Sequence, residues 1–122
     1  MTWKPITEEE IWDEINSSFD RMTIPQRNLW ESIRIDPEKW EQHPYGDEGN
    51  GFWAVAILGR TVVWYNDIEE GFNISKYSKI GIIDEYYCDQ NELHIVIRRL
   101  LIGKEMENLS PPYPFKITPT KK

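Results

Sequence analysis

GFWAVAILGRTVVWYNDIEEGFNISKY, from Gly51 to Tyr77, reads as a strand, a tight turn, a second strand and an acidic corner at Asp67, Glu69, Glu70 and Gly71. Gly59-Arg60 suits a two-residue type II′ loop, because glycine reaches the positive φ of the first loop position without a steric penalty. Such a loop sets Leu58 opposite Thr61 and so defines the register. In a regular ladder Trp53, Val55, Ile57, Val62 and Trp64 then share one face, and Ala54, Ala56, Val63 and Tyr65 the other. Apolar residues on both faces predict cover on both sides, which places the hairpin at the centre of the fold.

Outward from the hairpin, the N-terminal segment carries a full set of helix-start signals. Thr7 and Glu10 form a capping box, Ile6 and Ile11 occupy the staple positions, and Glu8, Glu9 and Glu10 suit the positive end of the helix dipole. Ile11, Ile15, Phe19 and Met22 recur at helical spacing, and Pro25 predicts a stop near Met22 or Thr23. Leu29 to Ile35 alternates as a strand, with Leu29, Ile33 and Ile35 on one face, until Asp36-Pro37 interrupts it. Glu38 to Gly51, with Pro44, Gly46, Gly49 and Gly51, reads as a long, mobile connection.

Beyond the hairpin, Ile80 to Tyr87 (IGIIDEYY) reads as a further strand. Asp89 is placed to cap a second helix, with Glu92 at the capping-box position and Leu93, Val96, Ile97, Leu100 and Leu101 as its stripe. The β-branched run Ile95, Val96, Ile97 also suits a strand, but caps and stripe together favour a helix that stops at Gly103. The expected fold is α+β: one domain over residues 1–109, an antiparallel sheet of about four or five strands, and an N-terminal and a C-terminal helix packed against it. Residues 110–122, with Pro111, Pro112, Pro114 and Pro119, read as an extended proline-rich tail.

Length and charge narrow the function classes. A chain of 122 residues suits one domain, and a 39% hydrophobic and 13% aromatic content argues against disorder. The formal net charge of -7, from 21 acidic and 14 basic residues, disfavours direct nucleic-acid binding and suits a basic protein partner. Acidic residues dominate as far as Glu92, whereas Arg98, Arg99, Lys104, Lys116, Lys121 and Lys122 make the C-terminal part basic. Cys88 is the only cysteine, so no intrachain disulfide is possible; a small buried hydrophobe is its commoner role. MTWKPITEEE has no apolar signal core and no apolar run approaches membrane-spanning length, so a cytoplasmic location and no membrane partner are expected.

Motifs for chemistry are sparse. No HExxH, CxxC or spaced Cys/His set occurs, no P-loop or dinucleotide fingerprint is formed by the glycines, and no nucleophile elbow surrounds a serine. No cofactor or metal site is therefore expected. Cys88 with His94 or His43 is a conceivable thiol-imidazole pair, since Cys88 precedes a helix start that favours a thiolate. The acidic corner has three readings: a solvated turn, a protein interface, or paired carboxylates for acid-base or metal chemistry. Among the aromatics, Trp64 is expected in the core, whereas Trp40, Tyr65 and Tyr86 are expected to be partly exposed.

The candidate partner-binding set is Tyr65, Asp67, Glu69, Glu70, Asp84, Glu85 and Tyr86: carboxylates that steer a cationic protein, with aromatic anchors beside them. In size, charge and composition the chain resembles bacterial immunity proteins, which are short, cytosolic, free of cofactors and block cognate toxins with acidic, aromatic surfaces. No family motif carries the resemblance, so no residue role is transferred. What it implies is an immunity or antitoxin-type inhibitor that neutralises a basic partner such as a toxin. A small hydrolase or metal-assisted enzyme built on the acidic corner with Tyr65 or His43, and a nucleic-acid mimic or regulatory adaptor, are the alternatives.

Overall fold

A computed structural model describes residues 3–109. Its elements run α1 (Glu8–Asp20), α2 (Ile24–Ile33), β1 (Arg34–Trp40), β2 (Phe52–Leu58), β3 (Thr61–Asn66), β4 (Gly71–Lys76) and α3 (Leu93–Leu109). The four strands form one antiparallel sheet in the order β1-β2-β3-β4. The expected single α+β domain is therefore found, with helices from both ends of the chain packed on the sheet. The expected proline-rich tail lies outside the described residues.

The capping box of α1 forms as read: the Glu10 amide donates to Thr7 Oγ1 at 3.1 Å, and the Thr7 amide donates to Glu10 Oε1 at 2.9 Å. Of the expected strand Leu29 to Ile35, only Arg34 and Ile35 are extended, as the start of β1; Leu29 to Ile33 is helical. The first four amides of a helix have no carbonyl partner inside it, so Pro25 is tolerated in the first turn and does not block α2. Thr23 and Gln26 supply a second capping box for it. Gln26, Leu29, Trp30 and Ile33 then fall at helical spacing and are buried. Leu29 and Ile33, four apart, satisfy either period, and the cap decides between them.

Asp36-Pro37 lies within β1 instead of ending it. β1 is an edge strand whose register shifts between Arg34 and Glu38, and an edge or a bulge is where a strand tolerates a residue without an amide hydrogen. Glu38 to Trp40 close the strand. The remainder of the expected long connection is a tight series of turns: the Gly46 amide donates to the Gln42 carbonyl and the Gly51 amide to the Gly46 carbonyl, both at 2.7 Å. Gly51 takes φ 94°, and a Cβ there would lie 2.2 Å from the Trp40 carbonyl oxygen. Glycine is required at that close approach.

The β2–β3 hairpin turns at Gly59-Arg60 with Leu58 opposite Thr61, as read, and Gly59 takes φ 60°. The face assignment needs one correction. The register shifts between Ala54 and Ala56, so Val55 is an extra residue and everything before it changes side. Trp53, Val55, Ala56, Val63 and Tyr65 face the helices, where they pack with Ile11, Ile15, Trp30, Val96 and Ile97. Phe52, Ala54, Ile57, Val62 and Trp64 face the other way, together with Trp40 and Ile83.

Among the described residues no helix covers that second face. Residues 77–91 cross it as irregular chain, and Ile80 to Tyr87 makes a single parallel bridge, Glu41 with Ile82, instead of a strand. Side chains replace the missing ladder. Asp84 Oδ2 accepts from the Ser78 amide and Glu85 Oε1 from the Lys76 amide, each at 2.8 Å. Buried Asn66 donates to the Tyr86 hydroxyl at 3.0 Å and the Tyr87 carbonyl at 2.9 Å. Buried Asn73 donates to the Asp89 carbonyl at 3.1 Å and accepts from the Asp89 amide at 3.0 Å. Two asparagines in strands are explained by this stapling, because buried amides persist only when paired.

Asp89 is thus held by Asn73 and does not cap a helix. α3 begins later, with the Ile95 and Val96 amides donating to the Glu92 carbonyl. Leu93, Val96 and Ile97 are buried as the stripe predicted. Gly103 does not stop α3. A glycine in a helix interior costs only about 1 kcal/mol relative to alanine, and the helix continues to Leu109. Among the described residues no helix is long and apolar enough to cross a membrane.

Candidate functional site

The β3–β4 turn is shaped by Asn66, whose Oδ1 accepts from the Ile68 amide at 3.0 Å and the Glu69 amide at 3.2 Å. Glu70 closes it in the left-handed region at φ 62°. This geometry turns Asp67 inward: it is 9% exposed. Its Oδ2 accepts from the Ile6 amide at 2.8 Å, and its carbonyl accepts from the Trp3 indole at 3.1 Å. The Trp53 indole donates to the Ile6 carbonyl at 2.9 Å. The corner read as a free acidic surface therefore also ties the N-terminal segment to the sheet.

Between that segment, α1 and the turn lies an open groove of about 890 Å³. Glu9, Glu10, Asp13 and Glu14 line it from α1, Glu70 and Asp67 from the turn, and Tyr65 from the sheet. Glu10, Asp13 and Glu14 are spaced three and four apart, so they share one helix face. Burial raises the Tyr65 hydroxyl, and Glu14, Glu70, Asp67 and Glu10 raise it further, to about 12. Tyr65 therefore stays a neutral phenol, and carboxylates of two separate elements converge on it.

Asp67 is held above the usual aspartate range, first by burial, against the opposing hydrogen bond from Ile6 and the charge of Lys39. Lys39 is held below its usual range, again by burial first, with Asp67 pulling the other way. On both groups desolvation outweighs attraction. The Lys39 ammonium is directed to the carbonyls of Gly49 at 2.7 Å and Gly51 at 3.3 Å, and sits 5.0 Å from the Trp53 ring centre. Among the described residues, Asp67 Oδ1 is left buried without a hydrogen-bond partner.

A raised folded-state pKa means that the fold favours the protonated carboxyl. Asp67 accordingly lowers stability as pH rises from the ordinary aspartate range through its raised value. Glu10 is the opposite case, lowered by its backbone and side-chain bonds to Thr7, and its contribution is lost as pH falls through its depressed value. In an NMR titration the Ile6 amide proton, reporting Asp67, is expected to move with a midpoint above the ordinary aspartate range, and the Thr7 amide below the ordinary glutamate range. An Ile6 midpoint at or below the ordinary aspartate range would mean that this carboxylate is hydrated.

The seven residues singled out from the sequence do not meet on one surface. Tyr65, Asp67 and Glu70 border the groove, while Glu69 is half-buried and its carbonyl accepts from Gln90 at 3.0 Å. Asp84, Glu85 and Tyr86 belong to the chain on the opposite face of the sheet, the carboxylates capping amides and Tyr86 packing on Phe52, Trp64 and Tyr45. Tyr65 is nearly buried and Trp40 completely so, against the expectation of partial exposure, while Trp64 is core as expected. Asp13 and Glu14 were not among the sequence candidates. Their spacing from Glu10 was the available signal, but the turn that faces them is brought there only by the fold.

Other chemistry finds little support. Cys88 is exposed instead of buried. The imidazoles engage other partners, His43 with Asp47 at 2.8 Å and His94 with Ser18 at 3.3 Å. Among the described residues no group of three or more His, Cys, Asp or Glu is arranged to hold a metal ion. No protein-family model, no curated protein and no solved structure matches the chain.

Proposed function

We propose that the protein is an acidic protein-binding module that neutralises a basic partner, in the manner of an immunity or antitoxin-type inhibitor, and that it docks the partner over the α1–turn groove. The carrying observation is the convergence of Glu9, Asp13, Glu14 and Glu70, all exposed, around one open groove with aromatic Tyr65 at its side. Converging carboxylates raise the encounter rate with a cationic surface and exclude acidic competitors. A hydrolytic reading is less well served by the same residues. Glu10 is engaged by Thr7 and one oxygen of Asp67 by Ile6, while the other groove carboxylates, Glu9, Asp13, Glu14 and Glu70, are exposed to solvent and not shielded as a paired acid and base.

Affinity capture from the source cells, at low and at raised salt, tests this reading with the wild-type chain and the variant Asp13→Lys, Glu14→Lys, Glu70→Lys. All three sites are exposed, so the fold is expected to survive. The expected result is a basic protein captured by the wild type, less at raised salt, and bound on the order of a hundredfold more weakly by the variant. Co-expression with that protein is expected to relieve its toxicity only in the wild type. Equal capture by both chains would remove the groove as the docking surface.

A further inference from the structure

We propose that the inner side of this groove is a receptor for a single arginine side chain of the partner, with Asp67 Oδ1 as its anchor. The inference rests on the docking reading above and gives it a recognition chemistry. An acidic groove by itself only attracts positive charge. What distinguishes this one is a nine-tenths buried carboxylate on its lining, with one oxygen taken by the Ile6 amide and the other unpartnered among the described residues.

Buried charged acceptors in folded proteins are paired, and the cation that acts on Asp67 from within the chain, Lys39, is turned to the Gly49 and Gly51 carbonyls. The donor that completes Asp67 therefore comes from outside. Because Oδ1 is already closed to water, its desolvation has occurred on folding, and pairing is not offset by stripping water from that oxygen. Lys4 and Glu70, both exposed, line the same groove as Asp67; contact with Oδ1 requires the groove wall to open, a motion that the proposal includes.

The chemistry favours guanidinium over ammonium. Guanidinium is the more weakly hydrated cation, so it loses less on entering a half-dry site. Its planar fork of five donors can serve Asp67 and a second carboxylate of the same groove lining at once. An ammonium offers a point charge with a tightly held water shell.

The test uses the full chain, 15N-labelled, titrated at low ionic strength with acetyl-Gly-Arg-Gly-amide and separately with acetyl-Gly-Lys-Gly-amide. Three nuclei report the site: the Ile6 amide, and the indole N–H groups of Trp3 and Trp53. The arginine peptide is expected to shift them saturably, the lysine peptide at least about fivefold more weakly. Asp67→Asn, which keeps an acceptor for Ile6, is expected to weaken arginine binding about tenfold and to bring the arginine-to-lysine ratio close to one. Glu70→Gln, at an exposed position of the groove lining, provides a second variant if Asp67→Asn disturbs the fold; a several-fold loss is expected.

Equal shifts with both peptides, or arginine binding indifferent to Asp67→Asn and Glu70→Gln, would overturn the receptor and leave the acidic docking groove standing. Silence with both peptides would likewise overturn the receptor. The docking reading falls separately, if the triple lysine variant captures the partner as well as the wild type.

Discussion

Trp64→Ala is expected to remove about 4 kcal/mol of stability, a large share of the roughly 5–15 kcal/mol that holds a domain of this size together. Trp64 is completely buried, with the ring centres of Phe52 at 4.9 Å and Tyr86 at 6.0 Å. Among the described residues irregular chain, and not a helix, overlies this face, and its side-chain staples limit collapse into the space. The indole also donates to Ser75 Oγ at 2.9 Å, and Ser75 Oγ donates to the Glu85 carbonyl at 2.7 Å. That relay ties β3, β4 and the covering chain together. Trp64→Phe keeps an aromatic ring and loses the donor, and is expected to cost about half as much. Urea unfolding monitored by circular dichroism measures both. A loss below about 1 kcal/mol for Trp64→Ala would mean that the second face is not a packed core.

Gly71→Ala carries the second large effect, through the backbone. A Cβ at Gly71 would lie 2.3 Å from Gln90 Cα, 2.4 Å from the Asp89 carbonyl oxygen and 2.8 Å from the Asn91 nitrogen. All three are main-chain atoms, so no side-chain rotation relieves the overlap, and β4 must separate from the 89–91 segment. The bond from the Phe72 amide to the Asn91 carbonyl at 2.8 Å and the Asn73–Asp89 pair stand directly in that path. A loss of about 3 kcal/mol is expected, with faster hydrogen exchange at the Phe72 and Asp89 amides. Gly71 follows Glu70, so the groove edge is expected to shift as well. Gly103→Ala is the internal control: nothing lies within 4 Å of a Cβ there, and a helical alanine should stabilise by a few tenths to about 1 kcal/mol. Equal behaviour of the two variants would refute the close approach at Gly71.

Local signals were the legible ones. The Thr7–Glu10 box, the Gly59-Arg60 turn and the stripe Leu93, Val96, Ile97 each involve residues within a turn or two of one another, and each forms as read. The misreadings occur where neighbours in sequence leave two outcomes open. Leu29 and Ile33 fit both periods, and the Thr23–Gln26 cap tipped the segment to helix. Ile80 to Tyr87 has strand composition, but Asp84 and Glu85 are drawn to the Ser78 and Lys76 amides. The Val55 bulge exchanged the faces of Trp53 and Ala54, which alternation cannot anticipate.

The amino-acid sequence by itself determined an α+β chain with a central two-faced hairpin, an acidic surface and no recognisable cofactor motif, because composition, caps and short-range periodicity are local properties. Only the tertiary structure decided which carboxylates stand together. It separated Asp84 and Glu85 from the opening corner and put them on the far face of the sheet. It set the Asp13 and Glu14 face of α1 against the β3–β4 turn, across more than fifty residues of chain. It also buried Asp67 beside the N-terminal segment with one oxygen unmatched. The reason is physical: a carboxylate's desolvation and partners depend on what long-range packing brings within a few ångströms, and spacing along the chain carries no record of that.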